Sequence, residues 1–165
     1  MKVLLIPTGG LFGAMLGGVL WAKSIQWTGS ISGFAAVGIG VFTGIGMVLA
    51  ASQVIDPNEQ KHWLILSVGA IFFALVGIVI GKYLDVRWNA IAQIAEQIIV
   101  SEPLLSEEAA TAIAQTQYSG TSKLELMKSR MDWFDLIFSV IAVFVAFYIT
   151  SNPRIRRILY KIKDN

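Results

Sequence analysis

Few side chains here could move a proton, hold a metal or attack a carbonyl, and their spacing is unfavourable to all three. The chain has one histidine, His62, and no cysteine. A metal or haem site needs several convergent donors, and an imidazole beside Trp63 with no ligand-spaced partner reads as an interfacial polar residue. The absence of cysteine removes disulfides, thiolate ligands and cysteine nucleophiles together. Thr8, Thr43, Ser67 and Ser139 lie in apolar runs with no histidine or lysine at hand to activate them, so they are expected to bond backbone carbonyls or bridge helices. No ionisable residue lies in the middle of an apolar run, which argues against a proton- or ion-coupled transporter. Asp135, two residues past Trp133, comes nearest and reads as an acid in the first turn of a helix at the membrane edge. The glycines of 38–46 follow no predicted strand, so a dinucleotide-binding reading fails its context. The expectation is a protein that is not an enzyme, with no metal and no cofactor, a bound lipid or pigment being left open.

The elements that would position any such residues are strongly apolar. Of 165 residues, 55% are hydrophobic and 15% charged, and the mean hydropathy is +0.66, a balance foreign to soluble domains. About 20 apolar residues are needed to cross a hydrocarbon core of about 30 Å. Four stretches supply them, near 3–22, 31–51, 63–82 and 133–151. The fold class expected is all-α membrane: a four-transmembrane-helix bundle over 1–151, with a partly helical extramembrane loop (83–132) between helices 3 and 4. A basic amphipathic tail follows at 152–165. Trp21, Trp27, Trp63, Trp88 and Trp133 fall at or just beyond the span ends, where an indole satisfies both its apolar body and its N–H, and are expected to mark the membrane interface. The first stretch is expected to be retained as a span, because it is long and glycine-rich and Leu20 and Ala22 make a poor cleavage site.

Glycine placement says how the spans touch. Fourteen of the fifteen glycines lie in the first 81 residues, where each would weaken a helix by about 1 kcal/mol relative to alanine unless close packing offsets it. Gly9, Gly13 and Gly17 recur every four residues, beside the row Gly10, Ala14 and Gly18. Ala36, Gly40 and Gly44 form a second stripe, and a third segment offers Ala70 and Ala74 beside the row Gly69, Phe73, Gly77 and Gly81. Such stripes let helices approach almost backbone to backbone. The first three helices are expected to form the core, leaving the fourth to face lipid or a partner.

Charge suggests orientation. With both termini on one side, that side holds seven basic residues against three acidic ones, and the other six against eight. The excess predicts cytoplasmic termini and a periplasmic or lumenal loop. In the tail, Ile155, Ile158, Leu159 and Ile162 fall at helical spacing between Arg154, Arg156, Arg157, Lys161 and Lys163, which suits contact with anionic lipid better than with nucleic acid. In the long loop, 88–100 continues a helical pattern, Ser106-Glu107-Glu108 makes a helix start, Gly120 a break, and Leu124, Met127 and Met131 a last amphipathic piece. A small helical cap over the bundle is the expectation.

Ala35 to Gly46, with its alternating glycines, resembles the proteolipid ring subunits of rotary ATPases, but those carry a carboxylate midway along an outer helix and this chain has none. That likeness reads as convergent packing. A longer likeness runs through Gly17, Gly18 and Trp21; Thr28 and Gly29; Gly33, Ala36, Gly38, Ile39, Gly40, Gly44 and Gly46; Gly81 to Tyr83; and Trp133 to Leu136. In these the chain resembles a family of uncharacterised bacterial four-span membrane proteins. Some members carry an N-terminal metal-binding ribbon absent here. The resemblance implies a multi-pass protein of a bacterial inner or other energy-converting membrane. The function expected is association, as an accessory subunit of a larger membrane complex or a homo-oligomeric scaffold, with a glycine-lined homo-oligomeric pore as the alternative. Its partners would be membrane lipids and other subunits or copies of itself.

Overall fold

A computed structural model describes residues 5–28, 33–56, 60–129, 131 and 133–164, with the side chains of 28, 33–35, 60, 61, 134 and 162–164 outside the description. The described residues form seven helices and no strand: α1 (Leu5–Thr28), α2 (Gly33–Ala51), α3 (Gln60–Ser101), α4 (Glu107–Gly120), α5 (Lys123–Ser129), α6 (Trp133–Ser151) and α7 (Pro153–Asp164). The chain is all-helical, and two helices, over Leu5–Trp27 and His62–Ser101, are long and apolar enough to cross a membrane. The apolar part of α2, Ala36–Ala51, is shorter. The stretch Asp135–Ser151 of α6 meets the same standard only together with α7, from which it is bent by 69°.

Helices α1, α2, α6 and α3 stand in that order around a square, each against the next, and α2 and α3 also meet across its diagonal. Helix α2 is the most enclosed: Ile39, Thr43, Met47 and Val48 are buried, and Leu49 is its one exposed large apolar side chain among the described residues. The other three each keep an apolar flank outward, with Phe12, Met15 and Leu16 on α1, Ile65, Val68 and Phe72 on α3, and Leu136, Val140 and Phe144 on α6. The fourth apolar helix is therefore part of the bundle and does not stand outside a three-helix core. Its opposite flank, Ala142, Ala146, Ile149 and Thr150, is buried in the bundle because the small residues of α2 leave room for it.

Two boundaries show local chemistry at work. Pro153 has no N–H to continue the helix and forces the preceding residue out of the α region, so α6 stops at Ser151 and the chain turns. The Asn152 Oδ1 then accepts the Arg154 N–H at 2.9 Å and caps α7. At the other boundary Ser106 Oγ accepts the Ala109 N–H at 3.3 Å, and Glu107 and Glu108 occupy the positive end of α4.

Helix α3 does not end where its apolar span does. Its 42 residues reach about 60 Å at 1.5 Å per residue, roughly twice a hydrocarbon core. Helices α4 and α5 fold back on the projecting half: Ala95 meets Ala110 and Ala114, and Val86 and Ala90 meet Leu126. The loop is thus helical, as its patterning predicts, and its two helices, here called the cap, pack on α3, with α4 ending at Gly120. Of the patterned residues, Met127 packs against this contact while Leu124 and Met131 are exposed, and the buried residue of α5 is Leu126.

Candidate functional site

The two small-residue rows of α1 serve two different neighbours. Gly9, Gly13 and Gly17 meet α2: a Cβ added at Gly9 would lie 2.5 Å from the Gly46 carbonyl oxygen, one at Gly13 would run into that of Phe42, and one at Gly17 would come 2.6 Å from Ile39 Cα. Gly18 and Ala14 meet α3, where a Cβ at Gly18 would lie 2.8 Å from Gly77 O and one at Gly77 2.9 Å from Ala14 O. Gly10 lies against the side chains of Met47 and Phe73, and Gly81 against Trp21. Ala36 is buried. Gly40 and Gly44 point to neither α1 nor α3. They receive α6, Gly40 against the Ala142 carbonyl and Gly44 against Ile149.

Buried charge is concentrated at the two ends of the bundle. At the cap end, Lys82 on α3 and Asp135 on α6 form an ion pair at 2.6 Å, with side chains 6% and 3% exposed. One turn further along α3, Asp85 accepts the Asn89 amide at 2.9 Å, and Asn89 also donates to the Ala22 carbonyl of α1 at 3.3 Å, so three helices are cross-tied. A cavity of about 80 Å³ adjoins the pair, walled by Trp21, Ile78, Met127 and Ser139. The Trp21 indole N–H is buried without an acceptor among the described residues. Asp135 is in the first turn of α6, as its position in the sequence predicts, but it is buried and ion-paired. It is desolvated because it lies opposite a lysine, and Lys82 is drawn inward by the same attraction.

At the tail end, α7 lies against α2 and α6. Trp63 donates its indole N–H to the Asp56 carbonyl at 2.8 Å, and Tyr160 donates its hydroxyl to the Ile55 carbonyl, so two aromatic donors hold the turn after α2. Their rings meet edge to face at 6.2 Å. The Arg156 guanidinium covers the other aspect of Trp63, 4.7 Å from the ring centroid, and is 3% exposed. Its Nε and Nη1 have no hydrogen-bond partner among the described residues. Burial lowers its pKa from the ordinary guanidinium value, the nearby Tyr160 opposing and Arg157 adding to the shift. Burial raises the Tyr160 phenol, with Asp56 adding to the rise and Arg156 opposing it.

Several expected sites thus change role. Trp21 and Trp63 are buried against their own chain instead of facing the interface, because Gly81 and α7 make room for their rings, whereas Trp27, Trp88 and Trp133 are exposed. Trp88 carries the Lys23 ammonium 5.1 Å from its ring centroid. Of the tail's basic residues, Arg154, Arg157 and Lys161 are exposed, Lys163 has its side chain outside the described residues, and Arg156 points inward to Trp63, which removes it from the lipid-facing set. His62 is exposed. Thr8, Ser67 and Ser139 donate to the carbonyls of Leu5, Trp63 and Asp135 as expected, while Thr43 is buried with its hydroxyl unpartnered among the described residues. Sequence reasoning missed the Lys82–Asp135 pair. Its one signal was opposite charge at adjacent span ends on the same side of the bundle.

Fold and surface together define an all-helical chain with apolar helices suited to a membrane. Comparison with protein-family models, with curated proteins and with solved structures gives no match.

Proposed function

We propose that the chain is a non-catalytic, multi-pass integral membrane protein in which α1, α2, α3 and α6 cross the bilayer as four spans and which acts by association as an accessory subunit. The observation that carries this reading is the division of its small and large apolar residues. Most of the described glycines of α1, α2 and α3 face a neighbouring helix, while bulky side chains such as Phe12, Phe72 and Phe144 point outward from three helices, an arrangement unfavourable in water. Contacts with other subunits would fall on those outward flanks or on the cap, where Val100 and Leu104 are exposed at the far end of α3. A ring of copies lining a pore with the glycines of α1 and α2 is less well supported, since those faces already hold neighbours in the same chain. The likeness to bacterial four-span proteins belongs to the same proposal, and with it a bacterial inner or other energy-converting membrane, cytoplasmic termini and a periplasmic or lumenal cap.

Two steps test it. After alkaline carbonate extraction the chain should stay with membranes and float with lipid, and release into the wash would overturn the membrane reading. Purified in mild detergent, it should bring one or more membrane proteins with it in fixed ratio, and its liposomes should pass no ions. A lone protein that conducts would replace the accessory-subunit reading with the pore.

A further inference from the structure

Helix α7 has two faces that compete for burial. By sequence, its apolar side is centred on Ile155, Ile158 and Leu159, with the basic residues opposite. The side docked on the bundle is different: Ile155, Arg156, Leu159 and Tyr160 are turned in, while Ile158 is 59% exposed. At 100° per residue the two faces are offset by roughly 80° around the helix axis. Docking therefore leaves a large aliphatic side chain outside and takes a guanidinium inside, where Nε and Nη1 find no acceptor among the described residues and the face of Trp63 covers the charge. Both features weaken the docked arrangement. Both are relieved by one rotation.

We propose that α7 is a clasp for an anionic bilayer surface. On neutral lipid it stays docked, held by the Trp63–Arg156 stack and by the Tyr160 hydroxyl on Ile55. On an anionic surface it turns about the break at Asn152 and Pro153, which already lacks a continuous run of backbone hydrogen bonds. Ile155, Ile158 and Leu159 then enter the lipid, and Arg156 joins Arg154, Arg157 and Lys161 among the phosphates. The partner is a lipid surface rather than a soluble anion, because release needs an apolar phase for Ile158 as well as negative charge for the arginines. Release also removes one of the two aromatic donors that hold the turn after α2. This inference rests on the membrane reading above.

The absence of cysteine allows a single label at any site. With Tyr160→Cys carrying bimane in the full chain, the adjacent Trp63 should quench the dye in phosphatidylcholine vesicles, and emission should rise several-fold when part of the lipid is phosphatidylglycerol. The same label on Trp63→Phe should be bright in both. Concentrated salt, which shortens screening to about 3 Å at 1 M, should restore quenching. Since losing the Tyr160 hydroxyl could itself loosen the helix, Ile158→Cys with an environment-sensitive dye gives a second reading: a blue shift on anionic vesicles, none on neutral ones. Arg156→Gln should raise the anionic fraction needed for release. Equal signals in both lipids from both labels would overturn the clasp, and release by inorganic phosphate without vesicles would overturn the surface as its partner. Flotation of each labelled protein with the vesicles distinguishes such failure from failure of the membrane reading.

Discussion

Lys82 and Asp135 lie 53 positions apart in the chain and 2.6 Å apart in space, and each compensates the other's buried charge. Removing one partner of a buried pair costs about 3–5 kcal/mol, whereas replacing both with apolar residues of similar size is often neutral. Asp135→Leu and Lys82→Met should therefore each lower the unfolding temperature in mild detergent markedly, and the double variant should recover most of the loss. Two single variants as stable as the parent would show that the pair is not desolvated. Tyr160 gives a pH test at the same scale. Its folded pKa is raised, so its contribution to docking is complete below the ordinary value of 10.0 and is lost as pH climbs through the higher folded value. Quenching of the bimane label cannot report this, because that label replaces the phenol. With dye at Ile158→Cys and Tyr160 intact, docking in neutral vesicles should weaken only above about pH 10. These contacts were hard to read from sequence for one reason. A lysine at a span end, or an arginine in a basic tail, points to water or headgroups by local pattern, and only a neighbour from a distant segment turns it inward.

At the scale of the element, close approach makes a sharper contrast than composition does. Gly13 and Gly38 are both helical glycines in apolar runs, yet a Cβ at Gly13 would strike the Phe42 carbonyl while one at Gly38 would meet nothing within 4 Å. Gly13→Ala should destabilise the bundle by about 1–3 kcal/mol, the usual cost of overpacking. Gly38→Ala should be neutral or stabilising by up to about 1 kcal/mol, through helix propensity. Thermal unfolding of the two variants in the same detergent decides it, and the reverse order would mean that the α1–α2 contact is wrong. The four-residue recurrence of small side chains on α1 made that face legible beforehand. Which neighbour each row serves was not legible, since Gly9 and Gly10 differ by 100° of helix rotation and nothing in the sequence says which helix stands on which side. Nor could the stripe Ala36, Gly40 and Gly44 announce that it receives α6, whose matching small residues Ala142 and Ala146 are embedded among large ones.

For the whole molecule, the apolar runs and the helical character of the long loop were legible because each rests on local chemistry: hydropathy and a capping serine. The assembly of the square was not, because it depends on which surfaces fit. The resulting object is polarised, with a hydrogen-bonded cross-tie of Lys82, Asp85, Asn89 and Asp135 where the cap begins, and an aromatic and basic cluster of Trp63, Arg156 and Tyr160 at the other extreme. A single uninterrupted helix, α3, joins the two. Because one continuous helical element runs from Gln60 to Ser101, a tilt at its base is carried to its tip. Rocking it by 10° inside the bundle would sweep its far tip sideways by about 5 Å for a projection of about 30 Å, enough to make or break a contact made there.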